Sequence, residues 1–235
     1  MKKSTKKLKL SNVTLMAVTS SEVEEAQISM RISLHNIDFG EAKLLCSSMP
    51  KKKYPDIEYI SIPPINNIGY NKLIFQNLYK YFSTSHCLIV QADSFVVNSN
   101  LWDEDFLKYD YIGAPWSNEI KVNSNITLDL KENNVGNGGF SLRSHKLTKI
   151  TSKLNYDKLK FPLKGEDVII CHYLYKEMLN SGIRFAPSKL AAKFSMENVN
   201  HLYGQDVNTV FGFHGKHLRE YFLKKYILRS AIGEW

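Results

Sequence analysis

No stretch of this 235-residue chain approaches the roughly 18 to 20 consecutive apolar residues that cross a bilayer. Its lysine-rich start, MKKSTKKLKL, is followed by neither a continuous apolar stretch nor a small-residue cleavage site, so no signal peptide is expected. Cysteine is scarce. Cys46, Cys87 and Cys171 are odd in number, far apart and set in apolar surroundings, which argues against a disulfide framework and suggests reduced, buried thiols in a cytosolic protein. No Cys/His pair has the spacing of a zinc site, and the adjacent Cys171 and His172 point to different sides of a helix. A GxGxxG after the first strand is also missing, which speaks against a dinucleotide-dependent oxidoreductase. Internal repeats are absent.

Positive charge is lacking where a nucleic-acid groove would need it. The formal charge is +8, but Lys2, Lys3, Lys6, Lys7 and Lys9 carry part of it. Lys216, Arg219, Lys224, Lys225 and Arg229, offset by Glu220, carry more than the remainder. The body between the two ends is close to neutral, so no nucleic-acid partner is expected. Basic ends suit contact with an anionic membrane surface, and equally serve as solubilising tails.

What is present is enough apolar residue, 43%, to bury one proper core. Apolar runs at 13–19, 42–46, 57–62 and 87–90 read as strands, with helical spacing over 21–34 and 70–82 between them. This alternation predicts an α/β layered sheet, parallel in its first half. Residues 101–116 are rich in aromatics and acids, and 117–134 are polar and strand-poor. Then comes ENNVGNGGFSLRS, with Gly136, Gly138 and Gly139 ahead of a period-two strand that Ser144 ends by capping a helix. A further helix is expected from Glu166 to Asn180, ended by Gly182, with a final strand near 184–186.

Several residues have two readings. Asp93 leaves the CLIV strand either to cap the next turn or to face a ligand or metal, and Ser94 beside it has the same choice. Glu166 and Asp167 open a helix, where acids complement the dipole; alternatively one carboxylate faces a cleft as a general base. His214 sits between Gly212 and Gly215 with Phe211 and Phe213 as anchors, a setting that would fix an imidazole for metal binding. Trp102, Tyr111 and Trp116 either stack on sugar or base faces or fill the core. Glu197, in FSMEN, is either a further site acid or a structural hydrogen-bond partner, and the structural reading is favoured. The three loop glycines make either a tight turn or a floor beneath a ligand.

Together QADSFVV, YDYIGAPW, VGNGGFSLRS, GEDV and FGFH carry a resemblance over residues 12–215. In that order they resemble the nucleotide-sugar glycosyltransferases of GT-A fold and, more narrowly, an uncharacterised family of bacterial and viral glycosyltransferases. The glycine loop followed by Glu-Asp is also similar to the β-1,3-galactosyltransferase and Fringe group, which invert the anomeric centre. The resemblance implies a single GT-A-like (Rossmann-like) α/β domain with a central mixed, mostly parallel sheet flanked by helices. That domain would span 12–215, between a basic tail at 1–11 and a basic helical segment at 216–235.

On the same resemblance, Asp93 matches the last acid of a DxD and would hold a divalent cation, Mn²⁺ or Mg²⁺, on the donor diphosphate, with His214 as a second metal contact. Asp167, beside Glu166, would deprotonate the acceptor hydroxyl. Gly138 and Gly139 would make room for a sugar, and Thr19-Ser20 would face the nucleotide base. Arg143 would assist the diphosphate or form a surface salt bridge, while Tyr111 and Trp116 would sit on the acceptor side. Gln91 departs from the motif: an amide can bind a ribose hydroxyl but gives a metal no negative charge, which weakens the expectation of metal dependence.

The implied activity is transfer of a sugar, foremost from a UDP-sugar, to a glycan or glycolipid in surface-polysaccharide or lipopolysaccharide synthesis. It would take place in the cytoplasm or at the inner face of the membrane. The alternative is a non-catalytic nucleotide-sugar or carbohydrate binding module.

Overall fold

The computed structural model describes residues 7–121, 125–198 and 203–231, with side chains to 225. Lys2, Lys3 and Lys6 of the expected tail, and 232–235 of the C-terminal segment, lie outside the described residues. Among the described residues the α-helices and β-strands follow in chain order. They are β1 (Leu8–Thr19), α1 (Val23–His35), β2 (Ile37–Cys46), β3 (Glu58–Ser61), α2 (Asn67–Lys72), β4 (His86–Val90), β5 (Ser94–Val96) and β6 (Tyr111–Ile112). Next come β7 (Glu119–Lys121), β8 (Thr127–Asp129), β9 (Phe140–Ser144), α3 (His145–Thr151), α4 (Glu166–Val168), α5 (Tyr175–Asn180) and α6 (Ser188–Phe194). β10 (Ser195–Met196), β11 (Gly212–His214) and α7 (Lys216–Ala231) complete the chain.

The main sheet has the order β3-β2-β1-β4-β9-β6. β3, β2, β1 and β4 run parallel, whereas β9 is antiparallel to both β4 and β6. Side chains alternate across a strand, so β1 feeds two cores. Leu15 and Ala17 join Met30 of α1 on one face; Met16 and Val18 join Ile74, Leu78 and Phe82 on the other. This three-layer arrangement is the expected α/β class, with parallel strands buried on both faces. It also brings the carboxyl ends of β1, β2, β3 and β4 to one edge, where open α/β sheets bind ligands.

Local sequence explains most boundaries, and some expectations need correction. β1 begins at Leu8, inside the stretch expected as a tail, because Leu8 and Leu10 alternate with Lys7 and Lys9 along a strand whose partner is Ile37–Phe39. The 70–82 helix starts earlier, where Asn66 accepts the Gly69 N–H at 2.9 Å, and passes through a π turn at Leu73–Asn77. The 166–180 helix is likewise broken by a π turn at Ile169–Tyr173. Residues 184–186 make only an isolated bridge, Tyr111 to Phe185, rather than a strand. The polar 117–134 segment holds a β7–β8 hairpin.

Two features aim the chain at the site. Buried serines of α1 reach across to the segment after β4: Ser29 Oγ donates to the Ala92 carbonyl at 2.9 Å, and Ser33 Oγ accepts the Val96 N–H at 3.1 Å. A second sheet, β10-β11-β5, then pairs β11 with β5 so that His214 lies opposite Ser94. Leu218 and Phe222 of α7 pack against Phe95 and Phe213 of this sheet, so the helix is anchored by its first half. All three cysteines are buried free thiols. Among the described residues no helix is long and apolar enough to cross a membrane.

Candidate active site

The Gln91-Ala92-Asp93 turn leaves the carboxyl end of β4, and the β11–β5 register sets His214 against it. Asp93 Oδ1 lies 3.4 Å from His214 Nε2, and Gln91 Oε1 lies 3.1 Å from the same nitrogen. On the other side of the ring, Nδ1 is 3.3 Å from Glu197 Oε1 and 3.1 Å from Asn137 Nδ2. Burial disfavours charge on His214, but the hydrogen bonds to Asp93 and Glu197 outweigh it and push its pKa up to about 9. Burial also works against the carboxylates of Asp93 and Glu197; the bonds to His214 win, and both are held below their usual range. The result is a cation between two anions with a fifth to a third of each side chain open to solvent: 20% for His214, 19% for Asp93 and 29% for Glu197.

Gln91 is committed at both ends. Its Nε2 donates to Tyr70 Oη at 2.8 Å, while its carbonyl faces His214. Held in this way, the amide orients the imidazole. Ser94 is corrected too. It is fully buried, and its Oγ accepts the Gln91 N–H at 2.7 Å and donates to the Gly139 carbonyl at 2.8 Å, which closes the turn and leaves nothing for a donor.

The glycines of the loop give way to the protein's own side chains. A Cβ on Gly138 would stand 2.3 Å from Glu166 Oε1, and one on Gly139 2.2 Å from His214 Cδ2. Room for a sugar is not what these two positions supply. Between them and Gly136, Asn137 takes a left-handed φ of 58°.

Asp167 meets the loop from the start of α4. Its Oδ2 accepts the Gly138 N–H at 2.8 Å and its Oδ1 accepts the Val168 N–H at 2.8 Å, with the side chain half-buried. Its neighbour differs. Glu166 is sealed, its two oxygens taking Arg143 Nη1 and Nη2 at 2.6 and 2.8 Å. Only 1% of the Arg143 side chain and 2% of the Glu166 side chain reach solvent. Burial opposes charge on both groups and raises the Glu166 pKa, while the paired carboxylate raises that of Arg143; the two parallel N–H···O contacts have the geometry of an ion pair. Arg143 is thus neither a diphosphate ligand nor a surface salt bridge, and Glu166 is not placed to act as a base.

The remaining residues divide. Tyr111 is fully buried with its ring 5.0 Å from Arg143 Cζ, so it is a core residue and not an acceptor contact. Trp116 is half-buried at the rim, its Nε1 donating to Glu197 Oε2 at 3.2 Å. Thr19 and Ser20 stand half-buried at the end of β1, their hydroxyls accepting the Glu22 and Ile65 N–H groups at 3.1 and 3.0 Å. Asn137, Tyr70 and Asn71 were not singled out by sequence as site residues, and Glu197, weighed as a site acid but read as structural, lies against His214. An Asn between two glycines does signal a left-handed turn, whereas Glu197 in FSMEN carries no local signal.

Among the described residues no three His, Cys, Asp or Glu side chains converge on one point as a metal cluster. The geometry explains why: Asp93 and Glu197 occupy opposite nitrogens of His214. On the Nε2 side alone, two hard oxygens, Asp93 Oδ1 and Gln91 Oε1, and the borderline imidazole nitrogen form a donor set compatible with a divalent cation that takes the proton's place.

A family model described as "Protein of unknown function (DUF5672)" matches residues 56–214, more than half of the chain, and includes the Gln91 turn, the glycine loop, Glu166-Asp167 and His214. No curated protein matches the chain in sequence. Among solved structures, the fold is similar to that of the apo-form glycosyltransferase GlyE of Streptococcus pneumoniae TIGR4, with a TM-score of 0.52 and 12% identity over 94% of this chain. The present chain spans 60% of the length of GlyE. A glycosyltransferase involved in glycosylation of the major capsid of PBCV-1 has a TM-score of 0.47 and 13% identity, over 90% of this chain and 98% of its own. At such identity, the likeness to GlyE is one of fold.

Proposed function

The chain belongs to the family described as "Protein of unknown function (DUF5672)", and from that premise we propose that it is a glycosyltransferase. It would move a sugar from a nucleotide-sugar donor, foremost a UDP-sugar, to a glycan or glycolipid acceptor, with residues 12–215 as its catalytic domain. One observation carries the reading. Two chemically distinct groups, the Asp93–His214 pair and the Asp167 carboxylate, lie on adjacent glycines at the carboxyl end of β4 in a glycosyltransferase-like fold.

In the proposed reaction the acceptor oxygen attacks the anomeric carbon while the bond to the diphosphate oxygen breaks, its electron pair leaving with the nucleoside diphosphate. The acceptor's proton passes to Asp167. Its two backbone N–H partners aim that carboxylate. A single displacement by this base inverts the anomeric centre. Asp93 and His214 would hold a divalent cation, Mn²⁺ or Mg²⁺, which supplies charge neutralisation to the departing diphosphate. Thr19 and Ser20 border the nucleotide, and Trp116 the acceptor.

Surface-polysaccharide or lipopolysaccharide assembly, in the cytoplasm or at the inner face of the membrane, suits a glycolipid acceptor. The exposed Lys216 and Lys224 of α7 suit contact with anionic headgroups there. The neutral Gln91 favours a second reading, a nucleotide-sugar or carbohydrate binding module without turnover.

Nucleotide-sugar hydrolysis and binding across a donor panel, with Mn²⁺ or EDTA, tests the choice. Turnover lost in Asp93→Ala and, with donor binding retained, in Asp167→Ala is the expected result. Binding without turnover in the wild type, with acceptors supplied, supports the module; no binding removes both readings.

A further inference from the structure

Arg143 and Glu166 present a physical puzzle. Two full charges sit at 1% and 2% exposure although burying an ion pair gains little over apolar residues of the same volume, and often loses. Stability does not account for them. Their connections form a closed circuit. Arg143 Nε donates to Ser141 Oγ at 3.0 Å, and Ser141 Oγ donates to the Gly138 carbonyl at 3.0 Å. Glu166 receives both guanidinium nitrogens, and its own N–H donates to Asn71 Oδ1 at 2.8 Å. The next residue, Asp167, returns to the Gly138 N–H at 2.8 Å. Gly138 is therefore clamped through its N–H and its carbonyl by one ring of contacts. The Cβ it lacks is replaced by Glu166 Oε1. The following carbonyl, Gly139 O, accepts the Gln91 N–H at 3.1 Å and the Ser94 hydroxyl at 2.8 Å.

We propose that the buried Arg143–Glu166 pair is a positioning device, which fixes the Asp167 carboxylate against Gly138 and so sets it relative to the Gln91–Asp93 turn. A charged pair does this where an apolar pair does not, because two parallel N–H···O bonds specify direction as well as distance. Glu166 and Arg143 touch neither donor nor acceptor; they act through Asp167 and Gly138. The activity arm of the test rests on the transferase reading, and the exchange arm does not.

The test replaces the pair by apolar residues of similar volume, R143M/E166L, and reads three quantities on the full chain. Thermal midpoint reports folding. Amide hydrogen exchange at Gly138, by NMR, reports the clamp, with Leu88 and Ile89 of β4 as internal references and D167A as the control that removes the acceptor. Donor hydrolysis, on whichever nucleotide sugar the wild type turns over, reports kcat and KM. The expected double variant keeps a midpoint close to that of the wild type. Its Gly138 exchange rises to the D167A level while Leu88 and Ile89 stay protected, and kcat falls about a hundredfold with donor KM nearly unchanged. A folded double variant with wild-type Gly138 protection and kcat overturns the proposal and leaves the pair a packing element.

Should that variant fail to fold, E166Q decides. It keeps one acceptor for Arg143 but turns an amide N–H₂ towards the guanidinium, so faster Gly138 exchange is expected and unchanged exchange is contrary. If the wild type turns over no donor, the transferase reading fails, and the Gly138 exchange results still support or overturn the positioning role.

Discussion

The site contains two ionic clusters separated by one peptide unit, and they are built to opposite ends. Beside Gly139, His214 stands between Asp93 and Glu197 with 19 to 29% of each side chain open. Beside Gly138, Arg143 and Glu166 are closed off from solvent. The open cluster holds a proton that a ligand or cation can replace, because water and solutes reach it. The sealed pair cannot exchange partners without opening the fold. Charge at the edge of the sheet is available for chemistry, whereas charge beneath it can only hold geometry.

The largest effect expected from breaking this contrast is on turnover. Asp167→Ala removes the carboxylate that bridges from the sealed side to the open one, and should lower kcat by about 10² to 10⁴ with donor binding retained, as measured by steady-state kinetics beside a donor titration. Next in size is stability. Glu166→Ala leaves Arg143 buried and unpaired, and denaturant unfolding should show a loss of about 3 to 5 kcal/mol. The open cluster should respond less. Asp93→Ala leaves His214 with Glu197, Gln91 and solvent, so its stability loss should stay below that of Glu166→Ala by a clear margin; equal losses would falsify the distinction.

The two glycines sharpen it further. Gly139→Ala drives a methyl into the His214 ring and should cost about 1 to 3 kcal/mol by overpacking, together with a weakened response to Mn²⁺ in calorimetry. Gly138→Ala meets Glu166 Oε1, which Arg143 pins, and should cost at least as much in stability while leaving the Mn²⁺ response closer to wild type.

The smallest effect separates two histidines, the buried His86 and the half-buried His214, by pH. Burial lowers the pKa of His86, whose Nε2 faces the Tyr109 carbonyl and whose neighbour Asp110 only partly offsets the burial. Burial also acts on His214, but its two carboxylates reverse the sign and raise it to about 9. In metal-free buffer the His214 contribution to stability is complete below about 6.5 and is lost as pH rises through about 9. The His86 contribution runs the other way: it is complete above about 6.5 and is lost as pH falls through its lowered value. NMR titration of the two rings, beside unfolding at several pH values, should show opposite displacements.

Much of the fold was legible as pattern. The run VTLMAVT marked a buried strand because its alternate residues serve two cores, and Met30 and Leu34 fell at helical spacing because α1 buries one face. The elements with weaker signals were less legible. Leu8 and Leu10 lay hidden among lysines, and the π turns at 73–77 and 169–173 follow from packing that no local period records. In the site, Asp93, Asp167 and His214 stood out by position, each at a strand or helix end or between glycines. Glu197 did not, since its place on His214 depends on β10 and β11 running side by side.

By itself the chain determined an α/β layered architecture, a near-neutral body with basic ends, and a short set of polar residues able to meet at the carboxyl ends of parallel strands. These are properties of period and composition, which local chemistry carries. Only the tertiary structure decided what each charge is for. Whether Arg143 reaches a diphosphate or a carboxylate, and whether a glycine admits a sugar or a glutamate, turns on partners 23 to 29 residues away along the chain. Burial separates those outcomes, because a charge in water has many partners and a charge in the interior must be given one.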